Sequence, residues 1–343
     1  MKQLYKTILM FSAAGLAIVS CDVEKKFSTE IPTYPLTKLV SSATATAGGE
    51  SVNGVVDNDG HTVTFVFNDT KDFSAVEMQF RFPSRVVRKD RALEEVTADL
   101  SGGKTYSFVL NNLEEDFTYT VSAYRASTQK VDRTECSVIT GLDGDADPAK
   151  METATTADGK YGSSVKNLFD GMYSKKKNDW TSYGYRSFGW QMADLTGSNG
   201  ETYGNAYTVD FGSPMKVAKM VFWPYWPYTR LDAAQFEIYA WTLDGEPSGS
   251  WANWQLIASV DVSDRYEPTA ALADGETNEF LTNGIVVDFI YGDVPAARYY
   301  RVKLLNNFMS VWKEKIDQNW NAAANVNGYT VAELEVWKYN LDE

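Results

Sequence analysis

Histidine is nearly missing from this chain of 343 residues, His61 being the only one. That excludes His-rich zinc sites and any mechanism that needs two imidazoles, and it leaves a Ser/His/Asp triad a single residue to build on. Cysteine is almost as scarce. Cys21 and Cys136 allow at most one disulfide, so the fold is not a disulfide-stapled miniature. Positive charge is also short: 32 Lys and Arg stand against 46 Asp and Glu, a net charge of −14. Such a chain repels phosphate backbones, and nucleic acid is excluded as a partner. No apolar run reaches the ~20 residues that a membrane-spanning helix requires. What is abundant is core-forming material, with 44% hydrophobic and 14% aromatic residues, enough for two globular domains.

Lys2 and Lys6 precede a short apolar stretch from Ile8 to Val19, the pattern of a signal peptide over residues 1–20. The stretch ends in Ile18-Val19-Ser20-Cys21, which resembles the lipobox of bacterial lipoproteins. That resemblance implies cleavage before Cys21, acylation of its sulfur and anchoring by several acyl chains, at ~0.8 kcal/mol for each buried methylene. An ordinary signal peptide cut elsewhere is the alternative. Residues 21–33 are polar and without apolar period, so they read as a disordered, lipidated tether. The acidic residues after Cys21 resemble the surface-export signal of Bacteroidetes lipoproteins, with Lys25 and Lys26 interrupting it. The implied location is the outer membrane, lipid-anchored and facing the cell exterior.

All ten tryptophans lie beyond residue 179, which marks a break in composition. Before it, apolar residues alternate with period two: Val63, Phe65 and Phe67; Val76, Met78, Phe80 and Phe82; Tyr106, Phe108 and Leu110; Phe117, Tyr119, Val121 and Ala123. Turn residues such as Asp57-Asn58-Asp59-Gly60 punctuate these runs. The spacing predicts an immunoglobulin-like or fibronectin-like sandwich over 34–142. Residues 143–151, opening with Asp143-Gly144-Asp145-Ala146-Asp147-Pro148, read as a linker because they lack the glycine and glutamate of a calcium loop. Residues 152–343 again alternate, as in Phe236, Ile238 and Ala240, so the fold class is all-β throughout.

In order along the second half stand Asp170-Gly171, Trp180, Asp210-Phe211-Gly212, Phe236 to Ile238, Asp244-Gly245, Trp254, Ala297-Arg298-Tyr299-Tyr300-Arg301 and Ala332 to Val336. This succession resembles the discoidin-like family, also called factor V/VIII type C and including carbohydrate-binding module family 32. The resemblance implies a jelly-roll sandwich that binds ligands on the loops at one end. It further implies a structural calcium ion held by Asp170 and Glu333. Met172 and the lysines Lys175, Lys176 and Lys177 depart from the family pattern, and those ammonium groups are an alternative means of neutralising the two carboxylates.

Trp180, Trp254 and Trp337 occupy family or strand positions and are expected to be packed. Trp223-Pro224-Tyr225-Trp226-Pro227-Tyr228 is different. Its two prolines stiffen the backbone, so Trp223, Tyr225, Trp226 and Tyr228 are expected to display rings for stacking on the C–H face of a pyranose, with Arg230 supplying donors. A second candidate is the long loop bearing Trp312, Asn319 and Trp320. Packing of these rings beneath their own loops is the competing reading. No carboxylate pair is singled out by a motif, so an enzyme is not expected. The chain reads as a non-catalytic surface lipoprotein that binds an oligosaccharide or polysaccharide for a neighbouring outer-membrane importer, touching the membrane only through its lipid anchor. The alternative is a protein-binding adhesin or scaffold subunit of that importer complex, because exposed aromatics suit both kinds of partner.

Overall fold

The computed structural model describes residues 36–88, 94–146, 161–179, 185–190, 204–226, 231–265, 272–311 and 329–342. The chain divides into two compact units between Tyr124 and Arg125. Among the described residues no helix is long and apolar enough to cross a membrane.

The first unit contains β1 (Ser42–Ala47), β2 (Glu50–Asn53), β3 (Val55–Asp57), β4 (Thr62–Phe67), β5 (Val76–Arg81), β6 (Val87–Arg88), β7 (Glu95–Ala98), β8 (Tyr106–Asn111) and the part of β9 (Asp116–Lys130) that precedes Arg125. One layer runs β2-β1-β5-β7, and the other is built on β9, which pairs with β8 and neighbours β4. The alternation predicted from sequence is realised: Val63, Phe65 and Phe67 face the core, as do Val76, Met78 and Phe80, while Glu77, Gln79 and Arg81 face water. Asn58 closes one corner by accepting the backbone N–H groups of Leu39 and Val40 at 2.9 and 3.0 Å and the Tyr119 hydroxyl at 2.8 Å.

The second unit begins within β9, whose last residues, Arg125 to Lys130, pair with β20 (Glu333–Asp342). Residues 125–142 therefore belong to the second unit, which moves the boundary upstream of the expected Leu142. Its remaining strands are β10 (Ser137–Ile139), β11 (Tyr161–Ser163), β12 (Tyr185–Trp190), β13 (Ala206–Met215), β14 (Val217–Trp223), β15 (Ala233–Trp241), β16 (Trp254–Asp261), β17 (Ile285–Asp288), β18 (Ala297–Asn307) and β19 (Tyr329–Val331). A five-stranded sheet in the order β10-β13-β18-β15-β16 packs against a layer in which β14 lies between β17 and β20. Val209, Phe236, Ile238 and Val302 from the first sheet meet Met220, Phe222, Leu334 and Val336 from the second in one core. This is the all-β sandwich that alternation and motif order predicted.

The expected linker is corrected at its start. Asp145 is buried and its carboxylate accepts Arg301 Nε at 2.7 Å and Thr208 Oγ1 at 2.8 Å, while Ala146 N donates to Ala206 O at 2.8 Å. Residues 143–146 are thus fastened to the sandwich; 147–151 lie outside the described residues. Antiparallel pairing sorts the loops between two ends. Trp223 is opposite Glu333 and Ala233 opposite Asn307 at one end; Trp241 is opposite Trp254 and Met215 opposite Ala297 at the other.

Candidate functional site

Three of the four rings expected on an open platform, Trp223 at the end of β14 and Tyr225 and Trp226 just beyond it, are buried instead. Trp223, Tyr225 and Trp226 are only 5, 6 and 5% exposed. The reason is clearest at Trp223. It is the last residue of β14 and alternates with core-facing Phe222, so its ring lies on the other side of the sheet, packed with Val221 and Ala332. Tyr173 stacks on it with centroids 4.3 Å apart and planes 16° from parallel, and Lys175 Nζ sits 4.5 Å from the ring centroid. The faces that would meet a sugar already have partners. Tyr228, Arg230, Trp312, Asn319 and Trp320 lie outside the described residues.

Beneath this segment is a group that sequence reasoning missed. Asp232, at the entry to β15, is 2% exposed. Its Oδ1 accepts the backbone N–H of Tyr225 at 3.3 Å and the Thr330 hydroxyl at 3.1 Å. Its Oδ2 is buried without a hydrogen-bond partner, and so is the indole N–H of Trp223. Burial pushes the Asp232 carboxyl well above the usual carboxylate range, against the opposing pull of those two hydrogen bonds. Burial thus favours the protonated form, in which the side chain offers one O–H donor together with acceptor capacity. The only sequence signal was an acid set between Leu231 and the Ala233-Ala234 pair that opens a buried strand.

Asp170 and Glu333 do come together. Asp170 ends a short 3-10 turn, Val165–Phe169, and the following Gly171 adopts φ 76°, which aims its N–H at Glu333 Oε2, 2.8 Å away. Glu333 is 2% exposed, and burial raises its pKa to about 8; the Asp170 charge adds to the rise, while the Gly171 N–H and Arg133 oppose it. Two of the three lysines of this loop are engaged elsewhere, Lys175 over Trp223 and Lys177 donating to Leu272 O at 2.5 Å. The cation placed against the turn is Arg133, whose guanidinium occupies the space that a Cβ on Gly171 would need. Among the described residues no three acidic, histidine or cysteine side chains are placed so as to hold a metal ion together. Two carboxylates beside a guanidinium fall short of the six to eight oxygens calcium takes, and no functional step is assigned to a metal.

A cavity of about 330 Å³ opens beside this pair, lined by Arg133, Cys136, Glu333 and Glu335 among others. Cys136 is a free, half-buried thiol; burial and the carboxylates around it push its pKa up to about 12, so it stays protonated and packs as a small apolar side chain.

A family described as a domain of unknown function matches residues 186–337. No curated protein sequence matches the chain. Among solved structures, a SusE-like protein is similar at 16% identity and a TM-score of 0.43, covering 80% of this chain and 94% of its own. The family 32 carbohydrate-binding module of NanJ from C. perfringens, solved with galactose, is 13% identical, covers 62% of this chain and 100% of its own, and has a TM-score of 0.31. The F5/8 type C domain of a Bacteroides fragilis protein is 14% identical over 62% of this chain and 98% of its own, with a TM-score of 0.34.

Proposed function

We propose that this chain is a non-catalytic, lipid-anchored surface protein that captures oligosaccharide for a neighbouring outer-membrane importer. The observation that carries the glycan part is Asp232: a buried carboxyl with one oxygen lacking a partner, whose other oxygen accepts the backbone N–H of Tyr225 in an aromatic, proline-bearing segment at one end of the sandwich. An unmet buried polar atom costs ~1–3 kcal/mol, so a folded protein that keeps one gains by having an occupant complete it. A sugar hydroxyl is suited to the task because it both donates and accepts. Glycoside hydrolysis requires a second carboxylate across the bond, and no motif of the sequence singles out such a pair. The anchor follows from the lipobox-like run ending at Cys21.

A glycan array probed with residues 22–343 tests the reading, followed by calorimetry of any captured glycan against Asp232→Asn and Asp232→Leu. Asn keeps a donor and an acceptor and should retain most of the affinity, whereas Leu keeps neither and should lose it. No new reducing ends should appear with time. An array without a single specific glycan, or affinity indifferent to Asp232→Leu in a folded variant, refutes the proposal.

A further inference from the structure

The first unit carries a cavity of its own, of about 610 Å³, within the ~300–1,000 Å³ range of small-ligand sites. Its floor is the outer face of the four-stranded sheet. Alternation sends Val76, Met78 and Phe80 of β5 into the core and leaves Gln79 and Arg81 outside, where the register sets Gln79 between Thr44 of β1 and Glu95 of β7, and Arg81 opposite Ser42. The residues that follow β5, from Phe82 to Val86, form the wall. Phe82 is half-buried there, edge-on to Phe108 with centroids 6.3 Å apart.

One residue of the wall is strained. Val86 N donates to Pro83 O at 3.4 Å, closing a four-residue turn, and Arg85, at its third position, takes φ 81°. A turn with positive φ at that position ordinarily has glycine or asparagine there. Arginine costs stability that glycine would not, and a strained residue on a cavity wall is grounds for seeking a use for its side chain. The charge around it supplies the second observation. From Arg81 to Arg91 stand five cations, Arg81, Arg85, Arg88, Lys89 and Arg91, against the single acid Asp90, in a chain whose net charge is −14. Arg81 and Arg85 both line the cavity, and among the described residues neither side chain forms an ion pair or a hydrogen bond. The second unit treats its guanidinium groups differently: Arg298 and Arg301 each hold a carboxylate at 2.7 Å.

We propose that this cavity binds a sugar unit bearing a carboxylate. The planar forks of Arg81 and Arg85 match a carboxylate in shape and charge. Gln79, Ser42 and Thr44 offer donors and acceptors to the ring hydroxyls, Glu95 accepts from them, and Phe82 supplies an apolar surface for the C–H face. A neutral sugar would leave both guanidinium groups without a counter-charge. The site lies wholly in the first unit and rests on no feature of Asp232.

The test is two-dimensional NMR of residues 22–343 labelled with ¹⁵N-arginine, titrated separately with the methyl glycosides of glucuronic acid, galacturonic acid and N-acetylneuraminic acid, and with those of glucose and galactose. Arg81→Gln and Arg85→Gly assign the two Nε–H signals. At least one acidic glycoside should move both signals saturably, and the neutral glycosides should bind at least about ten-fold more weakly, the order expected for losing a hydrogen bond to a charged group. Arg85→Gly suits φ 81°, so it should weaken the titration read at Arg81 roughly ten- to hundred-fold without lowering the melting temperature, a combination that a merely structural arginine would not give. Asp232→Leu should leave the titration unaltered, so failure of one site is distinguishable from failure of the other. Signals unmoved by all three acids, moved equally by the neutral glycosides, or moved with the same affinity in Arg85→Gly overturn the proposal. A response confined to phosphatidylglycerol vesicles also overturns it, assigning these cations to a membrane surface.

Discussion

Replacing Arg301 by methionine should damage the second unit more than any other single exchange of a charged residue described here. Arg301 is 0% exposed. Its Nε donates to Asp145 Oδ1 at 2.7 Å, Nη1 to Gly249 O at 2.9 Å and Nη2 to Asp143 O at 2.6 Å, and its guanidinium carbon lies 4.1 Å from the centroid of the Trp251 ring. Methionine fills part of the volume and answers none of these groups. Asp145 would remain 2% exposed with only the Thr208 hydroxyl as partner, and breaking a buried pair from one side costs ~3–5 kcal/mol. At ~2–4 °C per kcal/mol for a unit of this size, the melting temperature should fall by roughly 6–20 °C. Tryptophan fluorescence is the right probe, because every tryptophan lies in the second unit.

Two controls sharpen this prediction. Asp145→Leu/Arg301→Met removes the stranded charge and should be milder than Arg301→Met alone, at ~1–3 kcal/mol for the unmet carbonyls of Asp143 and Gly249. Burial already raises the Asp145 pKa against the pull of Arg301, and losing Arg301 removes that pull. An acid whose folded pKa lies above its unfolded value takes up a proton on folding, so stability is lost as pH rises through that interval. The deficit of Arg301→Met should therefore grow between mildly acidic and mildly alkaline buffer. A fall of less than about 2 °C, or a double variant equal to the sum of the two singles, would refute the reasoning.

Asp232 obeys the same sign. Its contribution is most favourable below the ordinary unfolded value of ~3.9 and declines as pH rises, so Asp232→Asn should flatten the dependence of urea midpoint on pH, which chemical denaturation at several pH values reads directly. Trp223→Ala should cost stability of ~3–5 kcal/mol, because the ring is packed between Tyr173 and its own sheet; an unchanged melting curve would restore it as a displayed ring. Cys21→Ala should move the protein from the detergent phase to the aqueous phase, and unchanged partitioning would remove the lipoprotein assignment.

The strands were legible because their physics is local. In β5 the alternation of Val76, Met78 and Phe80 with Glu77, Gln79 and Arg81 sorts each side chain to core or water without reference to the rest of the chain. The division between units left a weaker mark. β9 runs through fifteen residues without a glycine or proline to interrupt it, and the one signal of the boundary is that the apolar alternation of Phe117, Tyr119, Val121 and Ala123 lapses at Arg125. The Asp143-Gly144-Asp145 run looked like a linker because its composition is that of a turn. Its fate was decided by Arg301, 156 residues beyond Asp145, and a pairing at that distance leaves no trace in a single sequence.

The tryptophans misled in a more instructive way. Their number exceeds what the space between two sheets requires, and the surplus was expected on loops. Among the described residues, five of the tryptophans instead gather on the outer faces of the sheets. Trp223 and Trp337 gather with Tyr173 against one sheet, and Trp241, Trp251 and Trp254 gather with Tyr299 against the other. Several of these rings carry a cation on the face that a sugar would need: Lys175 over Trp223, Lys219 over Trp337 at 4.1 Å, and Arg301 over Trp251. A face already covered by a cation is a poor stacking platform. The indole N–H of Trp223, at the end of the sandwich that holds Asp232, lacks an acceptor. Exchanging this tryptophan for phenylalanine removes the N–H while keeping an aromatic ring. If the edge rather than the face recognises the glycan, this conservative variant should lose affinity with little loss of stability.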